Sequence, residues 1–222
     1  MHPVAYIHND FKEKFGIPRQ SGLVSNVSCI TFVHPYDDPA ALRGIEEFTH
    51  LWLLWDFSES HRETFSPTVR PPRLGGNTRV GVFATRSPFR PNSIGLSCVK
   101  LLGTETKGKD GPKLYVQGAD LMDGTPIYYI KPYIPYADCI PEAKTGILGE
   151  TPDKTEEVLF ENIGPAEVQA GELEVIQEIL SRNPPPAYQG DQERIYGMKY
   201  GRFDVKFRRV KEKIYVQSIE SL

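Results

Sequence analysis

Four segments of this 222-residue chain carry more chemistry than connectors need. The densest is Ala84-Thr85-Arg86-Ser87-Pro88-Phe89-Arg90-Pro91-Asn92-Ser93-Ile94-Gly95-Leu96. Its two X-Pro steps fix an extended backbone, from which Arg86, Arg90 and Asn92 project. A second, Arg70-Pro71-Pro72-Arg73-Leu74-Gly75-Gly76-Asn77, sets two arginines on a stiff turn, with glycines that let a ligand approach the backbone. Such a rigid basic loop suits phosphate or carboxylate, or it is a stiff surface loop with solvated arginines. The third, Pro18-Arg19-Gln20-Ser21-Gly22, supplies a cation, an amide and a flexible turn between strands, or is an ordinary loop. The fourth is Asp123-Gly124-Thr125-Pro126, followed by IYYIKPYIPY. Asp-Gly is a hairpin signal in its own right, but the tyrosines around Lys131, Tyr133 among them, also suit stacking of unpaired bases.

Other chemistries find little support. There is no GxGxxG after a strand, no GxSxG and no P-loop. The five histidines (His2, His8, His34, His50, His61) lack metal-ligand spacing, and no metal is expected. His50, ahead of an apolar run, reads as a packed core residue. Cys29, Cys98 and Cys139 are odd in number and widely spaced, so they read as small buried residues in a reducing compartment. The chain starts without a charged, then apolar leader and has no apolar run of membrane-spanning length, so a soluble cytoplasmic protein is expected.

Net charge is −3, but its distribution is uneven. From His61 to Leu102, seven cations face the single Glu63, a local charge of +6. From Lys199 to Lys213, seven cations face Asp204 and Glu212, a local charge of +5. Two basic patches on an acidic body attract a polyanion locally, unless they are solvated strand edges.

These segments need elements to hold them. Val4–His8, Asn26–Val33, His50–Phe57, Arg79–Ala84, Ile94–Leu102, Lys113–Gln117 and Ile127–Lys131 read as strands. HLWLLWDF is nearly all apolar, as in a strand buried on both faces or inside a barrel. Asp38-Pro39 opens a short helix through ALRGIEEF. Nineteen glycines and nineteen prolines favour short elements. Seven or eight short strands with one short helix predict a closed or nearly closed β-barrel. After a linker over Pro141–Pro152 come a strand (EEVLFEN), a helix with Leu173, Ile176, Ile179 and Leu180 on one face, and a hairpin alternating at Phe203, Val205 and Phe207, with Ile214 and Val216 returning. The fold class is therefore mainly β: a barrel over residues 1–145 and a small α+β domain over 146–222.

PRQSG, TVRPPRLGGN, GVFATRSPFRPNSIGLS and LMDGTPIYYIKPYIPYAD, with PPPAYQGDQERIYGMKYGRFDVKFR near the end, together resemble the TsaA-like family, specifically its TrmO-type tRNA methyltransferases. Ser93 stands where that family usually has proline, and SESHRE departs from its pattern around Ser58 and Glu59. The resemblance implies a β-barrel methyltransferase unrelated to Rossmann enzymes, working as a homodimer. It would use S-adenosyl-L-methionine to N6-methylate threonylcarbamoyladenosine beside the anticodon of threonine tRNA. It implies cofactor binding by Gln20, Ser21, Gly22, Ser58, Glu59, Arg86, Leu96, Asp123, Gly124, Thr125 and Pro126. Asn92 would accept a hydrogen bond from the target N6–H, and Asp123 would hold the ribose or the amine of the cofactor; these two are the catalytic candidates. Arg73 or Arg90 would hold the threonyl carboxylate, with Lys131 and Tyr133 also toward the tRNA anticodon loop. The C-terminal domain is a possible tRNA contact. The competing readings are a non-catalytic RNA-binding module and an enzyme using the same cofactor on a small molecule.

Overall fold

The computed structural model describes residues 1–71, 77–108, 111–148, 155–161, 168–182 and 194–222. Six antiparallel strands close into a barrel in the order β1 (Ala5–His8), β2 (Val27–Phe32), β7 (Lys113–Gln117), β6 (Ile94–Glu105), β3 (His50–Asp56) and β8 (Pro126–Pro132), which pairs back onto β1. Ala5, Ile7, Ile30, Leu51, Leu53, Val99, Leu114, Val116 and Ile127 fill the interior and are essentially inaccessible. A barrel this small has no lumen, and its inward side chains are its core.

Of the two settings expected for β3, the structure has the strand of a barrel wall and not one buried on both faces. Leu51, Leu53 and Trp55 point inward, while Trp52, Leu54 and Asp56 are half-buried on the outer wall. Two further strands, β4 (Thr68–Val69) and β5 (Val80–Gly81), form a short ribbon outside the barrel. The strand expected over Arg79–Ala84 shrinks to this two-residue β5, because Val82–Ala84 turns into a 3-10 helix. The barrel thus has six strands rather than seven or eight.

The expected helix after Asp38 is two 3-10 turns, Pro39–Leu42 and Ile45–Glu47. Asp38 does cap the first, accepting from the Ala40 amide at 2.8 Å. The extended backbone of Arg43 (φ −60°, ψ 122°) separates the two turns. A one-turn helix, α1 (Pro135–Asp138), follows β8. None of the cysteines is fully buried as expected: Cys29 and Cys98 are half-buried and Cys139 is exposed. His50 is likewise half-buried at a strand end, beside the Tyr133 ring, rather than in the core.

A second core lies beyond the barrel. A sheet ordered β10 (Ile195–Tyr200), β11 (Phe203–Val210), β12 (Lys213–Ser221) and β9 (Glu157–Phe160) packs against α2 (Ala170–Arg182). β9 and β12 are parallel, the other pairs antiparallel. From α2, Val175, Ile176, Ile179 and Leu180 are buried. α2 ends at Arg182, and the prolines expected to stop it lie outside the described residues. The β1–β2 connection contributes Phe11 and Val24 to this same core, with Phe11 edge-to-face on Tyr200 at 5.7 Å. Ser25 donates from both its amide and its hydroxyl to Glu178 of α2, at 2.6 and 2.8 Å. The connection over residues 9–26 is therefore wedged between two hydrophobic cores.

Candidate active site

Strand register puts three connections at one end of the barrel. His8, Val27, Gln117, Ile94, Asp56 and Pro126 all face that end. It carries the loops over residues 9–26, 57–93 and 118–125. Gln20–Gly22, Ser58, Glu59, Arg86, Arg90, Asn92 and Asp123–Thr125 thus gather at one mouth, with Pro126 opening β8 there and Leu96 three residues along β6. Lys131 and Tyr133 do not join them. β8 runs away from the mouth, so Lys131 lies five residues, roughly 17 Å, from Pro126. There Tyr133 packs on Trp52 and His50, and its amide bonds to the His50 carbonyl. Arg73 lies outside the described residues.

One hydrogen-bonded cluster starts inside the barrel wall. Trp55 Nε1 donates to Ser97 Oγ at 2.9 Å, and Ser97 donates to Asp120 Oδ1 at 2.5 Å. Gly95 makes room for the indole: a Cβ there would meet Trp55 ring carbons at 2.2 Å. Burial pushes the Asp120 carboxyl above its ordinary range, offset by the hydrogen bonds from Ser97, by backbone N–H donors that include Ser21, and by the Arg86 charge. Arg86 in turn donates to the Gln20 side-chain carbonyl. Ser21 Oγ accepts from the Cys98 amide at 3.2 Å, and Gly22 donates to the Gly118 carbonyl at 2.8 Å. Gly118 permits that approach, since a Cβ would sit 3.1 Å from Gly22 Cα. Two loops and strand β6 thus converge on one half-buried carboxylate. Sequence reading missed Asp120; the available signal was a single acid in the apolar run Ala119-Asp120-Leu121.

The Asp123 turn forms the opposite lip. Asp123 accepts from the Asn9 amide at 3.0 Å and pairs with Lys12 at 2.7 Å. Burial works to raise its carboxyl, but Lys12 and the Asn9 amide outweigh it and hold it below the usual carboxylate range. Gly124 and Thr125 are stitched to β1 through the Ile7 carbonyl and amide. Ser58 and Glu59 sit in an exposed 3-10 turn tied by the Lys14 ammonium to the Glu59 carbonyl at 2.6 Å. Leu96 points outward and is 59% exposed.

Beside the mouth, on the outer wall, an open cavity of about 290 Å³ is lined by Asp56, His61, Arg62, Arg90, Asn92 and Tyr128, among others. His61 Nε2 lies 2.8 Å from Asp56 Oδ1. Burial, then the Asp56 carboxylate, push the Tyr128 hydroxyl above its ordinary range. Arg90 donates to the carbonyls of Thr85 and Val82 at 2.8 and 3.3 Å, bracing the loop that carries Arg86. Among the described residues, no group of three or more His, Cys, Asp or Glu is placed to hold a metal ion.

A filled six-stranded antiparallel barrel, with Gln20–Gly22, Arg86, Asn92 and Asp123–Thr125 at one end and a small α+β sheet packed on one of those loops, defines the class. The chain belongs to the tRNA-methyltransferase O family: the N-terminal domain of that family matches residues 6–139 and its C-terminal domain residues 158–222. It is 40% identical over 218 residues to the tRNA (adenine(37)-N6)-methyltransferase of Escherichia coli K12, spanning 92% of this chain and 91% of that one. It is also 40% identical over 214 residues to a putative S-adenosylmethionine-dependent methyltransferase, RcsF, of Pseudomonas aeruginosa, covering 91% of this chain and 89% of the relative. The crystal structure of TrmO from Pseudomonas aeruginosa superposes with a TM-score of 0.80 at 32% identity, covering 100% of this chain and 98% of that one.

Proposed function

We propose that this protein is an S-adenosylmethionine-dependent methyltransferase acting on N6 of the adenine beside the anticodon in tRNA, with threonylcarbamoyladenosine in threonine tRNA as the substrate form. The observation that carries this reading is the convergence of Ser21, Ser97 and Arg86, the last bonded to Gln20, on half-buried Asp120 at the mouth. That donor set suits a zwitterionic cofactor: a guanidinium for its carboxylate, carboxylates for its amine and ribose, and backbone around Gly22 open to close approach. The bound cofactor supplies an electrophilic methyl group on a sulfonium.

In this reading the protein contributes position and a dry, polar surround rather than a nucleophile. Arg86 grips the carboxylate, and Asp120 holds Arg86 and the Ser21 loop in place. Asp123, fixed by Lys12, orients the Gly124–Pro126 turn against the other side of the cofactor. Asn92, in the outer cavity, accepts from the target N6–H and orients the nitrogen lone pair. Arg90 keeps the loop rigid, and its remaining donors face the threonyl carboxylate. An unpaired anticodon-loop base enters such a site without the cost of breaking a duplex. The same reading includes a cytoplasmic homodimer, in which Lys131 and Tyr133, remote from this mouth, serve tRNA elsewhere on the surface.

The test is calorimetric titration with S-adenosylmethionine, then incubation with tRNA carrying threonylcarbamoyladenosine and mass analysis of the nucleosides. One added methyl on that nucleoside is expected. Cofactor binding with no methylated nucleoside refutes the substrate, and no cofactor binding refutes the reading as a whole.

A further inference from the structure

The ribbon outside the barrel brings two large rings into water. Phe65 precedes β4 and Phe83 follows β5, and the amide of Val82 continues the ribbon by donating to the Pro67 carbonyl at 3.0 Å. Val82 turns inward and is buried, so its neighbour Phe83 turns out and is 70% exposed; Phe65 is 56% exposed. Their rings lie 6.4 Å apart and within 26° of parallel. Two exposed, nearly parallel phenylalanines side by side present a paired aromatic face to water.

Their surroundings say what they would take. The Arg90 guanidinium lies over the Phe83 ring at 5.6 Å, and Arg62 lies over nearby Phe89 at 3.5 Å. Arg79, beside β5, donates to Thr68 Oγ1 at 3.0 Å. Among the described residues, none of Arg62, Arg70, Arg79, Arg86 or Arg90 forms an ion pair with a carboxylate. The other basic segment is different. There Arg202 pairs with Glu172, Lys206 with Asp204, Arg208 with Glu161, Arg209 with Glu156 and Lys213 with Glu157. Of the two basic stretches, the loop face keeps its positive field and the C-terminal sheet largely spends it on its own acids. Arg90 also joins the rings to the cavity, since it lines the cavity beside Asn92.

We infer that Phe65 and Phe83, flanked by Arg79 and Arg90, form a stacking platform for an unpaired base of the RNA substrate, next to the base that enters the Asn92 cavity. The inference rests on the function proposed above. Aromatic faces stack any base and arginines follow its phosphates, so this face fits single-stranded RNA. A second copy of the chain fits worse, because a two-fold contact through this face would set its cluster of arginines against itself.

The experiment compares wild type with F65A, F83A, F83L and F83W in binding a labelled anticodon stem-loop RNA and a plain duplex of the same stem. Both rings are exposed, so melting temperature and cofactor affinity should not change. Each alanine should weaken stem-loop binding about tenfold and duplex binding little. F83W should restore it and F83L should not, and KM for tRNA should rise with kcat nearly constant. Unchanged stem-loop affinity in the F65A/F83A double variant overturns the platform. So does a drop in oligomeric mass with RNA affinity intact, which would make the rings a self-association surface. A wild type that neither binds the stem-loop nor methylates tRNA refutes the proposed function instead.

Discussion

Replacing Gly95 with alanine is the sharpest single perturbation the barrel offers. The new methyl would sit 2.2, 2.4 and 2.6 Å from three carbons of the Trp55 indole. Carbon atoms rest at about 3.5–4.0 Å, so the ring must retreat by more than 1 Å. Trp55 is only 5% exposed, and Leu53 and Val99 around it are sealed. Overpacking of this kind costs about 1–3 kcal/mol. The retreat also pulls Nε1 away from Ser97 Oγ, and a buried donor left without a partner costs about 1–3 kcal/mol more. Together these predict a loss of roughly 2–6 kcal/mol, or a Tm lowered by about 4–24 °C for a chain of this size. The assay is thermal unfolding followed by tryptophan fluorescence, which sees only Trp52 and Trp55. A double variant with Trp55→Phe should cost clearly less than the sum of the two single changes, since the smaller ring relieves the same clash. Cofactor affinity should fall as well, because Ser97 links the indole to Asp120. A G95A protein that melts within a degree of wild type, with its fluorescence spectrum unmoved, would show that the wall yields more easily than this packing implies.

Three further outcomes are expected. Arg86→Gln should weaken S-adenosylmethionine binding about tenfold or more with little change in Tm, since Arg86 is exposed and its side chain bonds to Gln20 at the surface of the mouth; intact affinity would remove it from the cofactor site. Asp120→Asn is a test with a pH sign. The folded carboxyl binds its proton more tightly than the unfolded one, so wild-type stability is greatest below the ordinary carboxylate value of about 4 and falls as pH rises through the elevated folded value. The Asn variant should therefore gain stability relative to wild type on going from acid to neutral pH, while losing cofactor affinity; a pH-independent difference would contradict this. Phe11→Ala should cost about 3–5 kcal/mol and lower the melting of the C-terminal sheet, because Phe11 is buried among that sheet's residues rather than in the barrel. Differential hydrogen exchange confined to residues before 30 would count against it.

How far the sequence revealed all this depended on whether the deciding contacts were local. β2 and β7 were legible because alternation over five or six residues marks an inward face. The Arg79–Ala84 strand failed because Val82 turns inward to anchor a 3-10 turn, a tertiary contact that alternation cannot register. The four polar segments were legible as segments, and three of them do share one mouth. Lys131 and Tyr133 were grouped with Asp123 by adjacency, yet a seven-residue strand carries them to the far end. Asp120 was hidden because its partners, Ser97, Ser21 and Arg86, come from three other stretches. The C-terminal positive segment misled for the same reason: its cancelling acids Glu156, Glu157, Glu161 and Glu172 lie tens of residues upstream.

The wedge formed by residues 9–26 has a consequence for how damage would present itself. Gln20–Gly22 sits between Phe11 and Val24, both buried in the C-terminal core, so that core and the barrel grip the loop from either side. Local opening of the loop then requires releasing apolar anchors from a sheet that lies outside the barrel. A mildly destabilising change in α2, such as loss of Glu178 from its bonds to Ser25, would surface first as a cofactor-binding defect at growth temperature, well before the molecule melts. Genetic screens for temperature-sensitive alleles would accordingly place hits in the C-terminal sheet and helix that masquerade as active-site mutations.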